Sequence, residues 1–115
     1  SISLRNVRPD RAEPIVAAML RNNPFSTTAS STTITVTENN HGRTSGDTVR
    51  FRNVQGSPGG VAFTAYENSS GFSITVTTTD KYTFTLGSTP SITEEAGGPT
   101  VSAGPVTITP WLIKF

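Results

Sequence analysis

The sequence predicts an all-β fold, a small antiparallel sandwich or barrel, and three observations support this prediction. Apolar residues alternate with threonine in residues 32–37, and with serine and threonine in residues 72–77. A period of two places the apolar side chains on one face of a strand and the threonines on the other. Turn signals rich in Gly, Asn and Ser separate these segments. A length of 115 residues predicts one domain with one modest core.

Residues 1–25 are predicted to form an extended arm followed by one short helix. Ile2, Leu4 and Val7 are spaced roughly as in a strand. Asp10 can cap a helix that Asn22-Asn23-Pro24 would end. The apolar residues between these points recur at helical spacing and would form one stripe: Ile15, Val16, Met19 and Leu20.

Residues 26–90 are predicted to form the β module. Strands are expected at about 32–38, 48–54, 61–66, 72–78 and 81–86, each of ordinary length. The first two are expected to form an antiparallel pair joined by the turn that contains His41 and Gly42. The last two are expected to pair across Asp80-Lys81.

Residues 91–115 are predicted to form a loop-rich tail that ends in an apolar strand. Pro90, Gly97-Gly98-Pro99 and Gly104-Pro105 punctuate this segment. Trp111, Ile113 and Phe115 lie at its end, and burying each large side chain is worth about 1.5–3 kcal/mol. The tail is therefore expected to dock on the core or on a neighbouring chain.

Composition and charge argue against several classes of function. Only 15% of the residues are charged and the net charge is +1, too little for the phosphate neutralisation on which nucleic-acid binding depends. We expect no sequence-specific nucleic-acid binding and no membrane partner. The absence of cysteine excludes a disulfide framework and a cysteine-based zinc site. No signal peptide is visible, and Ser1 is what removal of an initiator methionine would leave, so synthesis in a cytoplasm is expected.

The single histidine, His41, is predicted to be a turn residue rather than a catalytic base. Ser45 and Asp47 lie in the same turn, whereas a catalytic triad is normally assembled from separate segments. His41, Gly42, Gly46 and Asp47 are therefore predicted to form the turn. Asp47, Asp80, Glu94 and Glu95 are candidate calcium ligands, but no recognised loop spacing is present. Asp47 and Asp80 are instead expected to stabilise turns at the starts of strands, and Glu94 and Glu95 to lie in a solvated loop. We predict no catalytic residue, no cofactor and no metal.

The motif His41-Gly42-x-x-x-Gly46-Asp47-x-Val49, followed by Asp80-x-Tyr82-Thr83-Phe84-Thr85-Leu86, resembles a small β module of tailed-bacteriophage virion proteins. That module is named for its likeness to the first catalytic-cysteine half-domain of ubiquitin-activating enzymes. The resemblance covers about residues 31–88. It implies that His-Gly makes the turn and that Gly-Asp-x-Val starts the next strand. The segment from Gly56 to Gly71 is longer and richer in glycine than the family's usual connection.

The resemblance implies a non-enzymatic structural protein of a phage virion, either head decoration (cement) or a component of the head-to-tail or tail machinery. Its expected partners are other copies of itself and other virion proteins of the capsid, portal or tail. It would be made in the host bacterial cytoplasm. The residues expected to make contacts between subunits are the apolar ones of the two ends: Ile2, Leu4, Val7, Ile15, Val16, Met19, Leu20, Trp111, Ile113 and Phe115.

The alternative is a carbohydrate- or receptor-binding module of a phage fibre. Tyr66, Phe72, Tyr82 and Trp111 could stack on sugar rings if they were coplanar and exposed. Burial in a core or an interface is the commoner use of such side chains. Exposed coplanar aromatic residues would favour the sugar binder, and an arm that lies on another subunit would favour assembly.

Overall fold

Two antiparallel sheets pack face to face in the computed structural model, which describes residues 17–107. The four-stranded sheet has the order β1-β9-β4-β5 and the five-stranded sheet has the order β6-β7-β3-β2-β8. The strands are β1 (Ala18–Met19), β2 (Phe25–Thr27), β3 (Thr33–Thr37), β4 (Thr48–Arg52), β5 (Phe72–Ser73), β6 (Thr75–Thr78), β7 (Lys81–Thr85), β8 (Glu94–Ala96) and β9 (Ser102–Gly104). Two single 3₁₀ turns, Pro58–Gly60 and Phe63–Ala65, lie between β4 and β5.

The segment that contains β5 and β6 joins the two sheets. Phe72 and Ser73 pair with β4 of the four-stranded sheet, and Thr75 to Thr78 pair with β7 of the five-stranded sheet. Ile74, between the two strands, is buried at 2% exposure. One continuous extended segment therefore closes the sandwich on this side.

The inward side chains of both sheets form one aromatic core. Phe25 lies edge-to-face with Phe51 at a centroid distance of 5.1 Å, and Phe72 lies 4.2 Å from Phe84. Ile34 and Val36, the two apolar residues that alternate with threonine in β3, are both at 0% exposure and belong to this core. This burial confirms the prediction of an all-β sandwich.

Three predictions about the elements are wrong. The strands β3 and β4 do not pair, because the ten residues between them cross from one sheet to the other; β3 pairs with β2 and β7. Residues 61–66 contain a 3₁₀ turn instead of a strand. The predicted helix fails at its described end, where Ala18–Met19 pair with β9 and the Leu20 amide donates to the Val101 carbonyl at 2.9 Å. Ile15 and Val16 lie outside the described residues.

The segments expected to flank the module contribute strands to its sheets. β1 and β9 extend the four-stranded sheet beside β4, and β2 and β8 form one side of the five-stranded sheet. Glu94 and Glu95, expected in a solvated loop, form β8 opposite Thr27 and Ser26. The three-part division into domains stays a prediction, and strand pairing crosses both of its boundaries. The apolar end of the tail lies outside the described residues.

Candidate functional site

The connection between β3 and β4, residues 38–47, is the part of the fold that holds the four predicted turn residues, His41, Gly42, Gly46 and Asp47. Its first half is fixed to the turn between β6 and β7 by main-chain hydrogen bonds. The Glu38 amide donates to the Asp80 carbonyl at 2.8 Å, and the His41 amide donates to the Thr79 carbonyl at 3.1 Å. Asp80 also accepts the Asn40 amide through Oδ1 at 2.8 Å. Asp80 thus stabilises a turn, as the sequence predicts.

The second half of this connection is fixed to the segment around Ile74. The Gly46 amide donates to the Ile74 carbonyl at 2.9 Å, and the Ile74 amide donates to the Asp47 carbonyl at 3.0 Å. Asp47 Oδ2 accepts the Thr44 amide at 2.9 Å. Gly42 and Gly46 have φ of +64° and +99°, a left-handed conformation that glycine adopts without steric cost.

His41 bridges two main-chain segments through both ring nitrogens. Nδ1 accepts the Arg43 amide at 2.9 Å, so the ring proton is assigned to Nε2, which donates to the Thr78 carbonyl at 2.7 Å. The ring also lies edge-on to Tyr82 at 5.2 Å. In this arrangement neither nitrogen has a free lone pair with which to accept a proton from a hydroxyl such as Ser45.

A buried ion pair lies beside His41, and neither of its members was singled out from the sequence. Arg43 donates to both carboxylate oxygens of Glu38, from Nε at 2.9 Å and from Nη2 at 3.2 Å. The Tyr82 hydroxyl donates to Glu38 Oε1 at 2.7 Å, and Arg43 Nη2 also reaches the Ala103 carbonyl at 3.2 Å. Glu38 is only 7% exposed. A buried carboxylate needs such partners, because an unpaired one costs several kcal/mol.

The contacts around Glu38 shift the pKa values of Tyr82 and Arg43. Burial, and then the charge and hydrogen bond of Glu38, raise the pKa of Tyr82. Burial lowers the pKa of Arg43, but the hydrogen bond to Glu38 and the nearby negative charge outweigh it, so the net shift is upward. The signal available in the sequence was Glu38 directly after a strand and Arg43 five residues later, at the two sides of a tight turn.

An open cleft of about 670 Å³ lies between this connection and β1. Asn39, Asn40 and His41 line one side, and Met19 and Pro105 line the other. The lining is mostly polar, so the cleft offers hydrogen bonds more than apolar contact. Met19, one of the predicted intersubunit residues, is 66% exposed at its rim.

The other predicted contact residues are placed as follows. Leu20 belongs to the chain's own core at 7% exposure, so it leaves little surface for a neighbour. The remaining ones lie outside the described residues: Ile2, Leu4, Val7, Ile15, Val16, Trp111, Ile113 and Phe115.

The four candidate calcium ligands are separated, and each has another hydrogen-bond or ion-pair partner. Glu94 Oε2 accepts the Gly59 amide at 2.7 Å, and Glu95 pairs with Arg21 at 3.2 Å. Between residues 17 and 107 no three His, Asp or Glu side chains are grouped as metal ligands. Among residues 17–107 no helix has both the length and the apolar character that a membrane span requires.

Comparison with known proteins gives one informative result. No protein-family model matches the chain, and the search of curated proteins gives no match either. Among solved structures the fold is similar to part of a phage phi92 endosialidase, with a TM-score of 0.59 and 23% sequence identity. The likeness covers 77% of this chain and 12% of that chain, so this chain spans a small fraction of its neighbour's length. At this identity the comparison establishes the fold.

Proposed function

We propose that this chain is a non-enzymatic structural module of a tailed-phage virion, acting by packing against other subunits. The observation that carries the proposal is the fold, a sandwich with nine strands in residues 17–107, which is similar to one part of a much longer phage endosialidase. The similar part makes up 12% of the endosialidase chain, the size of a single domain within a larger protein. A domain of this size can serve as one structural module of a larger assembly. The sequence resemblance to virion modules points the same way. Within the virion, the head surface, the neck and the tail remain open alternatives.

The arrangement of polar groups favours structure over catalysis. His41 is occupied by two main-chain contacts, Glu38 by Arg43 and Tyr82, and Asp47 by its own turn. Each group that could act as an acid or base at residues 38–47 is already used to fix the connection between the sheets. Catalysis needs such groups to converge on a free position.

The aromatic side chains favour assembly over sugar binding. Tyr66 and Tyr82 are fully buried, and Phe72 packs against the core. Among the aromatic residues of the described part, only Phe63 is exposed, at 41%. A platform of coplanar exposed rings, the feature that would favour a carbohydrate-binding module, is therefore not found between residues 17 and 107.

The test is to locate the chain in native particles. Electron cryomicroscopy of the virion should show density of this sandwich at regular positions, with residues 1–16 or 108–115 contacting a neighbouring subunit. Purified protein added to particles that lack it should bind to them without any polysaccharide present. The proposal would fail if the protein were absent from purified particles. Binding to a host glycan by the isolated protein, with no binding to particles, would support the fibre module instead.

A further inference from the structure

Between residues 17 and 107 the two sheets have four end strands, and three of them are protected against pairing with another chain. The end strands are β1, β5, β6 and β8. An end strand presents unpaired main-chain groups to which a strand of another molecule can add, and proteins block this with short strands, charged side chains or a covering segment. β1 and β5 are only two residues long, and β8 carries Glu94 and Glu95. β6 has neither form of protection.

The sequence of β6 and its flanks favours pairing with an identical strand. Residues 72–79 are Phe-Ser-Ile-Thr-Val-Thr-Thr-Thr, with no charged residue, no proline and no glycine. Uncharged segments of this length with many β-branched side chains are those that stack with copies of themselves. Three of the four residues of β6 are exposed, so burial does not keep another chain away from it. An uncovered β6 would therefore be a site of self-association.

The connection between β3 and β4 lies along the outer edge of β6. The Val76 amide donates to Ser45 Oγ at 2.8 Å. Because Ser45 belongs to this connection, the amide points away from β7. Beside it, both main-chain groups of Ile74 are hydrogen-bonded to residues 46 and 47 of the same connection. Ser45 thus extends a main-chain ladder by one hydrogen bond to a side chain.

His41 covers the end of the same strand. Its Nε2 donates to the Thr78 carbonyl at 2.7 Å, and its amide donates to the Thr79 carbonyl at 3.1 Å. The ring is fixed from its other side, because Nδ1 accepts the Arg43 amide at 2.9 Å. Two side chains, those of Ser45 and His41, therefore bind main-chain groups of β6. Both side chains can be removed by substitution without a change to the main-chain sequence of contacts around them.

We propose that Ser45 and His41 form an edge cover, which prevents β6 from pairing with residues 72–79 of a second copy of this chain. The two side chains occupy main-chain groups that an added strand would bind, and main-chain hydrogen bonds supply the affinity in strand addition. The excluded partner is a second copy, because identical uncharged strands pair in register. This inference concerns the isolated chain in solution and does not depend on the proposed place in a virion.

The first test compares the association of folded variants. The double variant His41→Ala, Ser45→Ala should form β-rich oligomers, detected by sedimentation and by thioflavin T fluorescence, at concentrations at which the native protein keeps its own sedimentation coefficient. Ser45→Ala alone removes one hydrogen bond at an exposed site and should stay folded. It should associate as well, at a concentration about tenfold higher than the double variant. Sedimentation like that of the native protein for Ser45→Ala, at every concentration tested, would overturn the proposal.

Ser31→Ala is the matched control for Ser45→Ala. Ser31 Oγ accepts the Thr33 amide at 3.2 Å at the start of β3, so the same kind of hydrogen bond is lost. β3 lies between β2 and β7 and is not an end strand. Ser31→Ala should therefore leave sedimentation unchanged. Equal association of the two serine variants would show that general destabilisation is the cause, and it would refute the edge cover.

The second test locates the contact between copies and uses the absence of cysteine from the chain. Thr75→Cys places a thiol on β6 and Thr33→Cys places one on β3, at exposed positions of the same sheet. When Ser45→Ala is also present, a short thiol-reactive cross-linker should join two copies through the thiol on β6 and not through the thiol on β3. Equal dimer yields from the two positions would overturn the proposal, as would a yield on β6 that Ser45→Ala does not raise.

Discussion

At the scale of single residues, the buried Glu38–Arg43 pair fixes the connection between the two sheets. Arg43→Met should lower the free energy of unfolding by about 3–5 kcal/mol, because it leaves the Glu38 carboxylate buried with only the Tyr82 hydroxyl as a side-chain partner. Denaturant unfolding of the variant measures this loss.

Arg21→Gln is the matched control for that change. It removes the other described ion pair, whose side chains are 44% and 57% exposed, and should cost less than about 1 kcal/mol. Equal losses in the two variants would show that burial does not govern the strength of these pairs. Restoration of stability by adding Glu38→Leu to Arg43→Met would support the account, since no buried charge then remains.

The two tyrosines predict a loss of stability at alkaline pH. Both are fully buried, and burial together with the Glu94 charge raises the pKa of Tyr66 to about 12. The ordinary pKa of tyrosine is about 10. Below that pH the tyrosine is neutral in both the folded and the unfolded protein, so its full contribution to the free energy of unfolding is present. Between pH 10 and 12 the unfolded chain releases its proton first, so stability falls by up to about 1.4 kcal/mol per pH unit for each such tyrosine.

Tyr66→Phe tests the contribution of one tyrosine. The variant should lose about 1 kcal/mol at neutral pH, because the hydroxyl donates to the Pro58 carbonyl at 2.7 Å. Between pH 10 and 12 its stability should fall less steeply than that of the native protein. An unchanged alkaline slope in urea unfolding would exclude Tyr66 as a source of the effect.

At the scale of elements, the turn between β3 and β4 depends on backbone conformation more than on space. A β-carbon on Gly42 would meet nothing within 4 Å, but its φ of +64° is unfavourable for other residues. Gly42→Val should therefore cost about 1–2 kcal/mol. Gly87→Val is the control, because Gly87 has equally open space without positive φ. Equal unfolding midpoints for the two variants would contradict this explanation.

Most of the elements that the sequence predicts are strands whose burial alternates. β3, β4 and β7 lie within the predicted ranges because Ile34, Val36, Val49, Phe51 and Phe84 enter the core at every second position. β6 also lies within its predicted range, although Val76 is its only partly buried residue. β8 and β9 could not be predicted in this way, because Glu94–Ala96 and Ser102–Gly104 show no alternation of apolar residues. They form strands because they pair with β2 and β4. Met19 and Leu20 fit a helical spacing by chance, and tertiary pairing decided their conformation.

The candidate site was predictable only where local chemistry determines it. The sequence predicts that Gly42 and Gly46 form the turn, because glycine adopts the backbone conformations that tight turns require. It also predicts His41 as a residue of this turn. The environment of the Glu38–Arg43 pair depends on which strands come together, because its further partners are the Tyr82 hydroxyl of β7 and the Ala103 carbonyl of β9. A one-dimensional pattern does not contain that information.

At the scale of the whole molecule, two N-terminal deletions differ in whether they remove a described strand, the first of which is β1 at Ala18–Met19. Deleting residues 1–23 removes β1 and Leu20, which is buried in the core, and should lower the unfolding midpoint strongly. Deleting residues 1–16 leaves every described strand intact. The unfolding midpoint of this variant should stay close to that of the full chain.

The same pair of truncations separates stability from assembly. If the N-terminal segment contacts neighbouring subunits, the protein lacking residues 1–16 should fold and yet fail to join particles, because the lost apolar contacts of Ile2, Leu4 and Val7 lie between chains. Incorporation measured beside thermal unfolding decides the question. Normal incorporation of this variant would refute a role for the segment in assembly, whereas a midpoint as low as that of the longer deletion would place the segment within the fold itself.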